Sequence, residues 1–465
     1  MNVLLVSHRF PPRGTAGTEN YTAGIARVLA RHGHAVTVFA AAKDIARRHM
    51  SLERRAWEGI DVHEVFNNLL HEDFRETWRS PEAAACFAQV LDASRADVVH
   101  FQHLMYLSAG CLEVVRARGI PVLFTLHDYW LQCPRFGQRV HADGSVCHTI
   151  DFARCGTCLV SFAHAQTPAA RTAARWIAEV RERSGIDLSR AVRRGAELLA
   201  RRAAPSDAAV DPALARELEA AARERDRDLR AVTAASVDRF FAPSRFLRER
   251  FLREWSIPEE RIEHLPLGVD LDAFAARPRQ RNARVQVAFL GSLIPVKGAH
   301  VLLDAWGRLS GALRADADLV LYGPSEHHPE YQRELALRAL AVGARLGGAL
   351  ERDEVARVLA CTDLVVVPSV WYENSPLVIL EATAARTPLL VSDQGGMAEL
   401  VQVGVNGFHF RMGDAADLAL ALSRLLADRS ALDALYQRPV AIPRVEEHVL
   451  VLEERYLRAS AERAR

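Results

Sequence analysis

The sequence has almost no net charge, very little lysine and no long apolar run. Its formal charge of +1 over 465 residues gives no global argument for a nucleic-acid partner, and we expect none. No apolar stretch approaches the roughly 20 residues that a membrane span needs. The opening run Met1–Ser7 is too short for a secretory signal and lacks its basic flank. We therefore expect a cytoplasmic protein.

The first strand is not followed by the dinucleotide fingerprint Gly-x-Gly-x-x-Gly, which argues against a nicotinamide-dependent enzyme. What the sequence does contain is an alternation of apolar strands and helices in both halves. It begins with a strand at residues 2–7, a glycine-containing loop, a helix from Glu19 to Arg31 and a strand from Ala35 to Ala40. This alternation predicts α/β domains that bind ligands at the carboxyl ends of parallel strands.

We predict two domains and a final helix. The N-terminal Rossmann-like domain covers residues 1–268, the C-terminal domain covers residues 269–442, and the helix lies within residues 443–465. The N-terminal domain carries a Cys-rich loop at residues 133–158 and a helical insertion at residues 168–235. The insertion is rich in Ala, Arg, Glu and Leu, which favours long helices. We interpret it as a solvated addition to the domain, with a membrane-surface or lipid-linked acceptor contact as the alternative.

Cysteine is sparse except in one segment. Four of the seven cysteines fall there, namely Cys133, Cys147, Cys155 and Cys158. Clustered cysteines in a cytosolic chain indicate a metal before a disulfide, and the last two form the Cys-x2-Cys half of a tetrahedral zinc site. We expect a structural zinc, with His141 or His148 as substitute ligands and four free thiols as the alternative. Four thiolates would leave no open position for catalysis.

Two carboxylates frame the stretch around which the second half is organised. The apolar run Asp363–Ser369 predicts a buried strand, and a helix that includes Glu381 follows a loop that carries Glu373. Asn374 or Ser375 can cap that helix, whose first position would suit the proline that follows them.

The N-terminus of that helix would offer N–H groups, near Ser375 and Leu377, to a phosphate or sugar oxygen. A second group that could bind phosphate is a lysine. Lysine is rare in this chain, because 57 of the 59 basic residues are arginine, so each lysine is a candidate for a specific role. The two lysines are Lys43 and Lys297. The latter stands in the segment Gly291–Gly298, just before a predicted helix, where an ammonium group can reach a diphosphate.

These motifs resemble those of retaining glycosyltransferases of the GT-B fold, in particular of glycosyltransferase family 4. The stretch from Glu373 to Glu381 resembles the Glu-x7-Glu motif of that family, and Thr125–Asp128 resembles the segment whose histidine, here His127, contacts the transferred sugar. The segment Ala16–Glu19 resembles the Gly-Gly-x-Glu loop, with Ala16 in place of the first glycine. Gly291–Gly298 resembles Gly-Arg-x4-Lys-Gly, with Ser292 in place of the arginine.

The resemblance implies a GT-B architecture, in which two doubly wound Rossmann-like domains face a cleft and the last helix crosses back to the N-terminal domain. It implies that the N-terminal domain lies on the acceptor side and that the C-terminal domain binds the nucleotide-sugar. The implied reaction moves a sugar, with retention of configuration, from a UDP- or GDP-sugar to a glycan, a glycolipid or a small molecule. No cofactor is expected for catalysis, since no Asp-x-Asp pair stands at the predicted site. A lipid-linked acceptor would bring peripheral contact with the inner face of the membrane.

The resemblance also assigns roles to residues. Glu373 would bind the hydroxyls of the donor sugar, Glu381 the ribose, and Lys297 the diphosphate, while His127 would contact the sugar from the other domain. The catalytic set is then Glu373, His127 and Lys297. The donor-binding set is Gly17, Gly291, Ser292, Lys297, Asn374, Ser375, Leu377 and Glu381.

Three other functions remain open from the sequence. A sugar-nucleotide epimerase would share the two-domain shape. A pyridoxal-phosphate phosphorylase would need a Schiff-base lysine, and only Lys43 is left once Lys297 is assigned. A catalytically inactive sugar-binding scaffold is the option outside enzymes. Glu373, Glu381 and Lys297 argue against it, while the substitutions Ala16 and Ser292 leave it open.

Overall fold

The computed structural model describes residues 1–162, 166–189, 211–270, 272–275, 278–324, 328–436, 438 and 440–463. The chain forms two compact units. The first comprises the described residues of Met1–Phe241, Leu252–Glu263 and Val449–Arg465, and the second those of Ala242–Phe251 and His264–His448.

The first sheet has eight strands in the order β3-β4-β2-β1-β5-β6-β7-β8. The pairs that join β4, β2, β1, β5, β6 and β7 are parallel, whereas β3 is antiparallel to β4. Its central strand β1 is buried from its second residue on and has four apolar residues in a row, as expected for a parallel sheet covered on both faces. The strands are β1 Asn2–Ser7, β2 Ala35–Ala42, β3 Leu52–Trp57, β4 Ile60–Phe66, β5 Val98–Phe101, β6 Val122–Thr125, β7 Arg239–Ala242 and β8 Ile262–His264.

Helices connect these strands, and several begin at side chains suited to the position. Ser80 accepts a hydrogen bond from the Ala83 amide, and a proline follows it at the first helical turn. The α-helices up to residue 255 are Gly17–Arg31, Pro81–Ser94, Gly110–Ala117, Phe152–Val160, Pro168–Ser184, Pro212–Ser236 and Arg245–Trp255.

The second sheet has six strands in the order β11-β10-β9-β12-β13-β14, and all its recorded pairs are parallel. Apolar clusters pack on both of its faces, one of them around the buried Trp306 and the other around Ile379. The strands are β9 Val285–Leu290, β10 Ala317–Tyr322, β11 Arg345–Gly348, β12 Leu364–Val367, β13 Leu389–Ser392 and β14 Gly407–Phe410. The α-helices are Asp272–Ala275, Ala299–Gly307, Gly311–Ala315, Pro329–Val342, Arg352–Ala360, Leu377–Ala384, Gly395–Leu400, Ala415–Ala427, Arg429–Tyr436 and Val445–Arg463.

Each sheet reverses its strand order once. In the first sheet the chain builds outward from β1 and then returns to place β5 on the other side of β1. In the second sheet β9 and β12 flank the same kind of reversal. Ligands of doubly wound sheets bind outside the carboxyl ends of the two strands at such a switch point. The residues that follow β1, β5, β9 and β12 are therefore the first place to look for a site.

Several details differ from the sequence prediction. Strand β3 was not predicted, because its residues alternate between half-buried and exposed and carry charge. Residues 242–251 and 264–268, which we had assigned to the N-terminal domain, belong to the second unit. Part of the predicted Cys-rich loop is helical, since Phe152–Val160 is an α-helix. Of the predicted helical insertion, residues 190–210 lie outside the described residues.

Candidate functional site

The loop that follows β12 carries Glu373 into the interior of the second unit. The strand is fully buried, and the next helix begins at Leu377, with Pro376 as its N-cap and no side-chain cap. Our prediction that Asn374 or Ser375 caps this helix was therefore wrong. The reason is that the Asn374 side-chain oxygen instead accepts a hydrogen bond from the Ser244 hydroxyl, at 2.7 Å. The helix N-terminus keeps its amide groups without a side-chain cap.

Glu373 and Lys297 meet directly. The Lys297 Nζ donates to Glu373 Oε1 at 2.6 Å, and the Ser369 hydroxyl donates to the same oxygen at 2.8 Å. The Glu373 side chain is 6% exposed and that of Lys297 is 27% exposed. The Lys297 ammonium also lies 5.5 Å from the centre of the Trp371 ring. Two predicted residues from different loops thus form one charged pair, with its cation at the more open end.

Two glycines at the start of the helix Gly395–Leu400 hold the Glu373 loop in place. The Gly396 amide donates to the Glu373 carbonyl at 2.7 Å. Gly395 has a φ of +70°, and a Cβ atom there would lie 2.5 Å from the same carbonyl oxygen. A Cβ on Gly396 would lie 1.7 Å from the Asn374 carbonyl oxygen. Only glycine allows the start of this helix to approach the Glu373 loop so closely, so the Gly-Gly pair holds the backbone of Glu373.

The loop after β9 lies against the same region. The Val370 amide donates to the Val296 carbonyl at 2.9 Å, which places the turn containing Lys297 beside the Glu373 loop. Gly291 and Ser292, both partly buried, directly follow β9, and the Gly291 amide donates to the Tyr322 carbonyl at 3.0 Å. Gly291, Ser292 and Lys297 therefore share one loop at the switch point of the second sheet.

The remaining predicted donor residues lie on the helix that follows Glu373 or just before it. Ser375 and Leu377 are partly exposed at its start, and Glu381 is half-buried within it. The residues that the sequence reasoning missed here are Ser369 and Ser244. Ser369 could have been found as the polar residue that ends an apolar strand four positions before Glu373, whereas Ser244 is too distant in sequence to give such a signal.

His127 and Gly17, the predicted residues of the first unit, have separate surroundings. His127 follows β6, its Nε2 lies 3.0 Å from Gln102 Oε1, and its ring centre lies 5.1 Å from that of Tyr21. Gly17 is the exposed first residue of its helix, where Ala16 is the N-cap without a side-chain hydrogen bond. The helix thus begins two residues earlier than predicted.

Further polar side chains gather at the switch point of the first sheet. His8 follows β1, and its Nε2 lies 3.4 Å from Glu19 Oε1. His103 follows β5, and its Nε2 lies 3.0 Å from Asp128 Oδ2. The centres of the His8 and His103 rings are 4.6 Å apart. The sequence reasoning included Glu19 and Asp128 in segments that resemble family motifs, but it gave no role to His8 and His103, although both stand just after a strand.

The Cys-rich segment folds as a short hairpin followed by a helix. In the hairpin Val140 pairs with Val146, and the Cys147 amide donates to the Arg139 carbonyl at 2.7 Å. Cys155 lies in the helix Phe152–Val160, and none of the seven cysteines, all of which lie in the described ranges, forms a disulfide. Burial raises the pKa of Cys155 well above its ordinary value, and the neighbouring thiols of the segment raise that pKa further.

The structure gives the zinc prediction no direct support. Across the described ranges, no three His, Cys, Asp or Glu side chains stand where one metal ion could bind them together. The thiols interact electrostatically, and the His141 Nδ1 lies 3.4 Å from Cys158 Sγ. A structural zinc on Cys133, Cys147, Cys155 and Cys158 therefore stays a prediction.

Comparison with known families adds to this geometry. The model of a family described as Glycosyltransferase Family 4 matches residues 15–273, and a model described as Glycosyl transferases group 1 matches residues 284–428. The chain belongs to glycosyltransferase family 4. The family 4 resemblance read from the motifs is thereby confirmed.

Individual curated relatives match only part of the chain. A D-inositol 3-phosphate glycosyltransferase of Nocardia farcinica is 33% identical over 227 residues, which cover 44% of this chain and 49% of that relative. The chain thus spans about half the length of the curated relatives it matches.

Two solved structures cover nearly all of the chain. Anabaena Alr3699/HepE in complex with UDP and glucose has a TM-score of 0.58 at 15% identity, and covers 100% of this chain and 98% of its own. The sucrose-phosphate synthase of Thermosynechococcus elongatus has a TM-score of 0.63 at 18% identity, and covers 99% of both chains. These likenesses confirm the predicted GT-B type of fold, with two parallel-sheet α/β domains.

Within the parts of the chain that the structure describes, no helix combines the length and the apolar character that crossing a membrane would take.

Proposed function

We propose that this member of family 4 is a retaining glycosyltransferase that moves a sugar from a nucleotide-sugar donor to a hydroxyl group of an acceptor. The observation that carries the proposal is the Lys297–Glu373 pair at the switch point of the second sheet, with Ser369 on the same carboxylate oxygen. Family membership supports the reaction class, and the solved neighbour that holds UDP and glucose supports a uridine donor among the candidates.

The donor diphosphate would bind at Lys297. Its ammonium stands at the more exposed end of the pair, beside a loop of Gly291 and Ser292 at the end of β9. The uncapped N-terminus of the helix Leu377–Ala384 supplies amide donors and the positive end of a dipole to the same kind of ligand. Ser292 can add a hydroxyl donor but no charge.

Glu373 would hold the transferred sugar. Lys297 and Ser369 both use its Oε1, and Oε2 remains the oxygen to accept hydrogen bonds from sugar hydroxyls. Glu381, half-buried on the following helix, would accept the ribose hydroxyls. His127 of the first unit would contact the sugar, and Gly17 would allow a close approach of backbone to the donor.

The bond between the anomeric carbon and the diphosphate oxygen would break, and the acceptor oxygen would form its bond on the same face. The acceptor's hydroxyl proton leaves with the diphosphate. Negative charge grows on the departing diphosphate, where the fixed ammonium of Lys297 stabilises it. This role uses charge already in place and needs no group to reorganise during the step.

The proposal also covers the class of acceptor, the cellular location and the requirement for a metal. A glycan, a glycolipid or a small molecule would serve as acceptor, in the cytoplasm, with peripheral contact at the inner face of the membrane for a lipid-linked acceptor. No metal or other cofactor is needed for catalysis, because Lys297 and the helix amides supply the positive charge.

The test is nucleotide release from a panel of UDP-, GDP- and ADP-sugars, with wild type and Glu373→Gln compared. We expect one donor class to be turned over and the variant to lose that turnover. Glu330→Gln is the matched control, because Glu330 is an exposed glutamate of the same unit whose recorded contact is a 3.9 Å pair with Arg333. Calorimetry with UDP and GDP completes the test. No nucleotide binding and no turnover would overturn the transferase in favour of a sugar-binding scaffold, and interconversion of the donor sugar without nucleotide release would indicate an epimerase.

A further inference from the structure

A chain of buried hydrogen bonds runs through the core of the first unit. The His100 ring lies in β5, with Nδ1 2.7 Å from the Tyr456 hydroxyl and Nε2 2.8 Å from Thr125 Oγ1. Thr125, the last residue of β6, also hydrogen-bonds the side chain of Tyr21, on the helix Gly17–Arg31. The bonds thus link four elements of the unit through the side chains of Tyr456, His100, Thr125 and Tyr21.

All four side chains are removed from solvent. Tyr456 and His100 are 0% exposed, Thr125 is 1% exposed and Tyr21 is 4% exposed. The other residues of β5 are apolar, as is usual in a strand enclosed on both faces, so a histidine in this strand needs an explanation. A buried polar group costs free energy unless it is hydrogen-bonded, and a fully bonded network specifies one arrangement of its members. The chain therefore fixes the positions of its side chains.

His100 links the two halves of the chain. A neutral imidazole donates a hydrogen bond with one ring nitrogen and accepts one with the other, whereas a hydroxyl group can do either. If His100 donates to Tyr456, it accepts from Thr125, and if it donates to Thr125, it accepts from Tyr456. Loss of the partner on one side of the ring therefore affects the bond on the other side.

The chain ends against His127. The centres of the Tyr21 and His127 rings are 5.1 Å apart, and their planes are inclined by 63°. His127 is partly buried two residues after the end of β6, and its Nε2 lies 3.0 Å from Gln102 Oε1. The His127 ring thus contacts Gln102 and Tyr21, and the position of Tyr21 depends on its bond with Thr125.

The opposite end of the chain lies on the last helix, Val445–Arg463, whose residues from Val449 onward belong to the first unit. An ion pair also attaches this helix, since Arg455 Nε donates to Glu263 Oε2 at 3.0 Å. Both side chains of that pair are partly exposed, so the pair stabilises the helix only modestly. Tyr456 is the residue through which the helix joins the buried chain, and it lies 356 residues from its partner in β5.

We propose that Tyr456 is a positioning residue for His127. It holds the His127 imidazole in place through His100, Thr125 and Tyr21. The inference rests on the proposed transferase function, in which His127 contacts the transferred sugar. It makes the seating of the last helix a condition for the correct geometry of that histidine. A misplacement of about 1 Å can lower a rate about 100-fold, so even a small movement of the ring has a measurable effect.

The test uses the full chain labelled with ¹⁵N at histidine, and a His127→Gln variant identifies the His127 imidazole signals by NMR. Tyr456→Phe keeps the ring and removes its hydroxyl, and Thr125→Val keeps the shape of the side chain and removes its hydroxyl. We expect both variants to displace the His127 signals, because each interrupts the chain. With the donor that wild type turns over, kcat should fall about ten-fold, while the KM for the donor should change by less than about two-fold.

Arg455→Gln is the matched control, because it weakens the attachment of the same helix one position away, and its recorded partners Glu263 and Glu454 lie outside the buried chain. We expect it to lower the Tm and to leave the His127 signals and kcat unchanged. Unmoved His127 signals in both Tyr456→Phe and Thr125→Val would overturn the proposal. An equal displacement in Arg455→Gln, or displaced signals with an unchanged kcat, would also overturn it.

The double variant Tyr456→Phe/Thr125→Val tests whether the two hydroxyls act through one chain. We expect its loss in kcat to be no greater than the larger of the two single losses, because either change interrupts the same path. Losses that multiply would contradict a single chain.

Calorimetry with UDP and GDP on the same samples separates this inference from the function on which it rests. Displaced His127 signals without nucleotide binding or turnover would overturn the transferase, while the link between Tyr456 and His127 would stand. Donor turnover with unmoved His127 signals in both hydroxyl variants would keep the transferase and overturn the positioning role.

Discussion

Removal of Lys297 should destabilise the second unit more than removal of its partner does. In Lys297→Met the Glu373 carboxylate, 6% exposed, keeps the Ser369 hydroxyl but loses its cation. Stranding a fully buried charge costs about 3–5 kcal/mol, and the 27% exposure of Lys297 reduces this to about 2–3 kcal/mol. In Glu373→Gln the ammonium can turn toward water, so we expect a loss of about 1 kcal/mol.

The assay is thermal unfolding of the single variants and of the double variant Lys297→Met/Glu373→Gln. For a unit of roughly 200 residues, each kcal/mol shifts the Tm by about 2–4 °C, so Lys297→Met should lower it by about 4–12 °C. The double variant should be more stable than Lys297→Met, because the stranded carboxylate is gone. Strictly additive losses, or a larger loss in Glu373→Gln, would refute the assignment of a partly buried pair.

Three further results are expected. Ser369→Ala should raise the KM for the donor by about 10- to 100-fold through the lost hydrogen bond to Glu373, Ser369→Thr should restore it, and a fall in thermal stability without a change in KM would argue against this role. Burial lowers the pKa of His448 from 6.5 to about 4, so the unfolded chain binds the proton more readily; stability should fall by up to about 3 kcal/mol as the pH drops from 6.5 to 4, and His448→Gln should lose less. Metal analysis should find one zinc per chain, reduced in Cys158→Ser, whereas a metal-free wild type with titratable thiols would reject the zinc.

The α/β alternation was readable from the sequence because the strands of a covered parallel sheet are continuous apolar runs. Strand β1 and strand β12 are of this kind, and both were predicted within one or two residues of their observed ends. Strand β3 was missed because it is an antiparallel edge strand with charged, exposed positions, and its pairing with β4 depends on the turn that joins them. A local pattern cannot distinguish such an edge strand from a polar loop.

The helix cap after Glu373 illustrates what local reasoning leaves out. Asn374 has the side chain of a good N-cap, and the sequence offers no reason to doubt that role. In the structure the Asn374 side-chain oxygen accepts a hydrogen bond from Ser244, which lies 130 residues away in sequence, and the helix begins at Leu377. A contact between distant segments decided the outcome, and neither segment carries a sign of it. The meeting of Lys297 and Glu373 was different, because both stand just after strands that flank one switch point.

The same reasoning explains why fewer site residues were predicted from the sequence of the first unit. His8, Gln102 and His103 follow β1 and β5 at the switch point of the first sheet. Ser292 and Ser369 follow β9 and β12 at the switch point of the second sheet, so the strand order alone makes both sets candidates for a site. A lone lysine in an arginine-rich chain draws attention, whereas single histidines and a glutamine do not. Their chemistry became visible only in the fold, where His8 Nδ1 and Gln102 Nε2 are buried and have no hydrogen-bond partner among the described residues. Unsatisfied atoms at a switch point are thus a signal of function that composition cannot give.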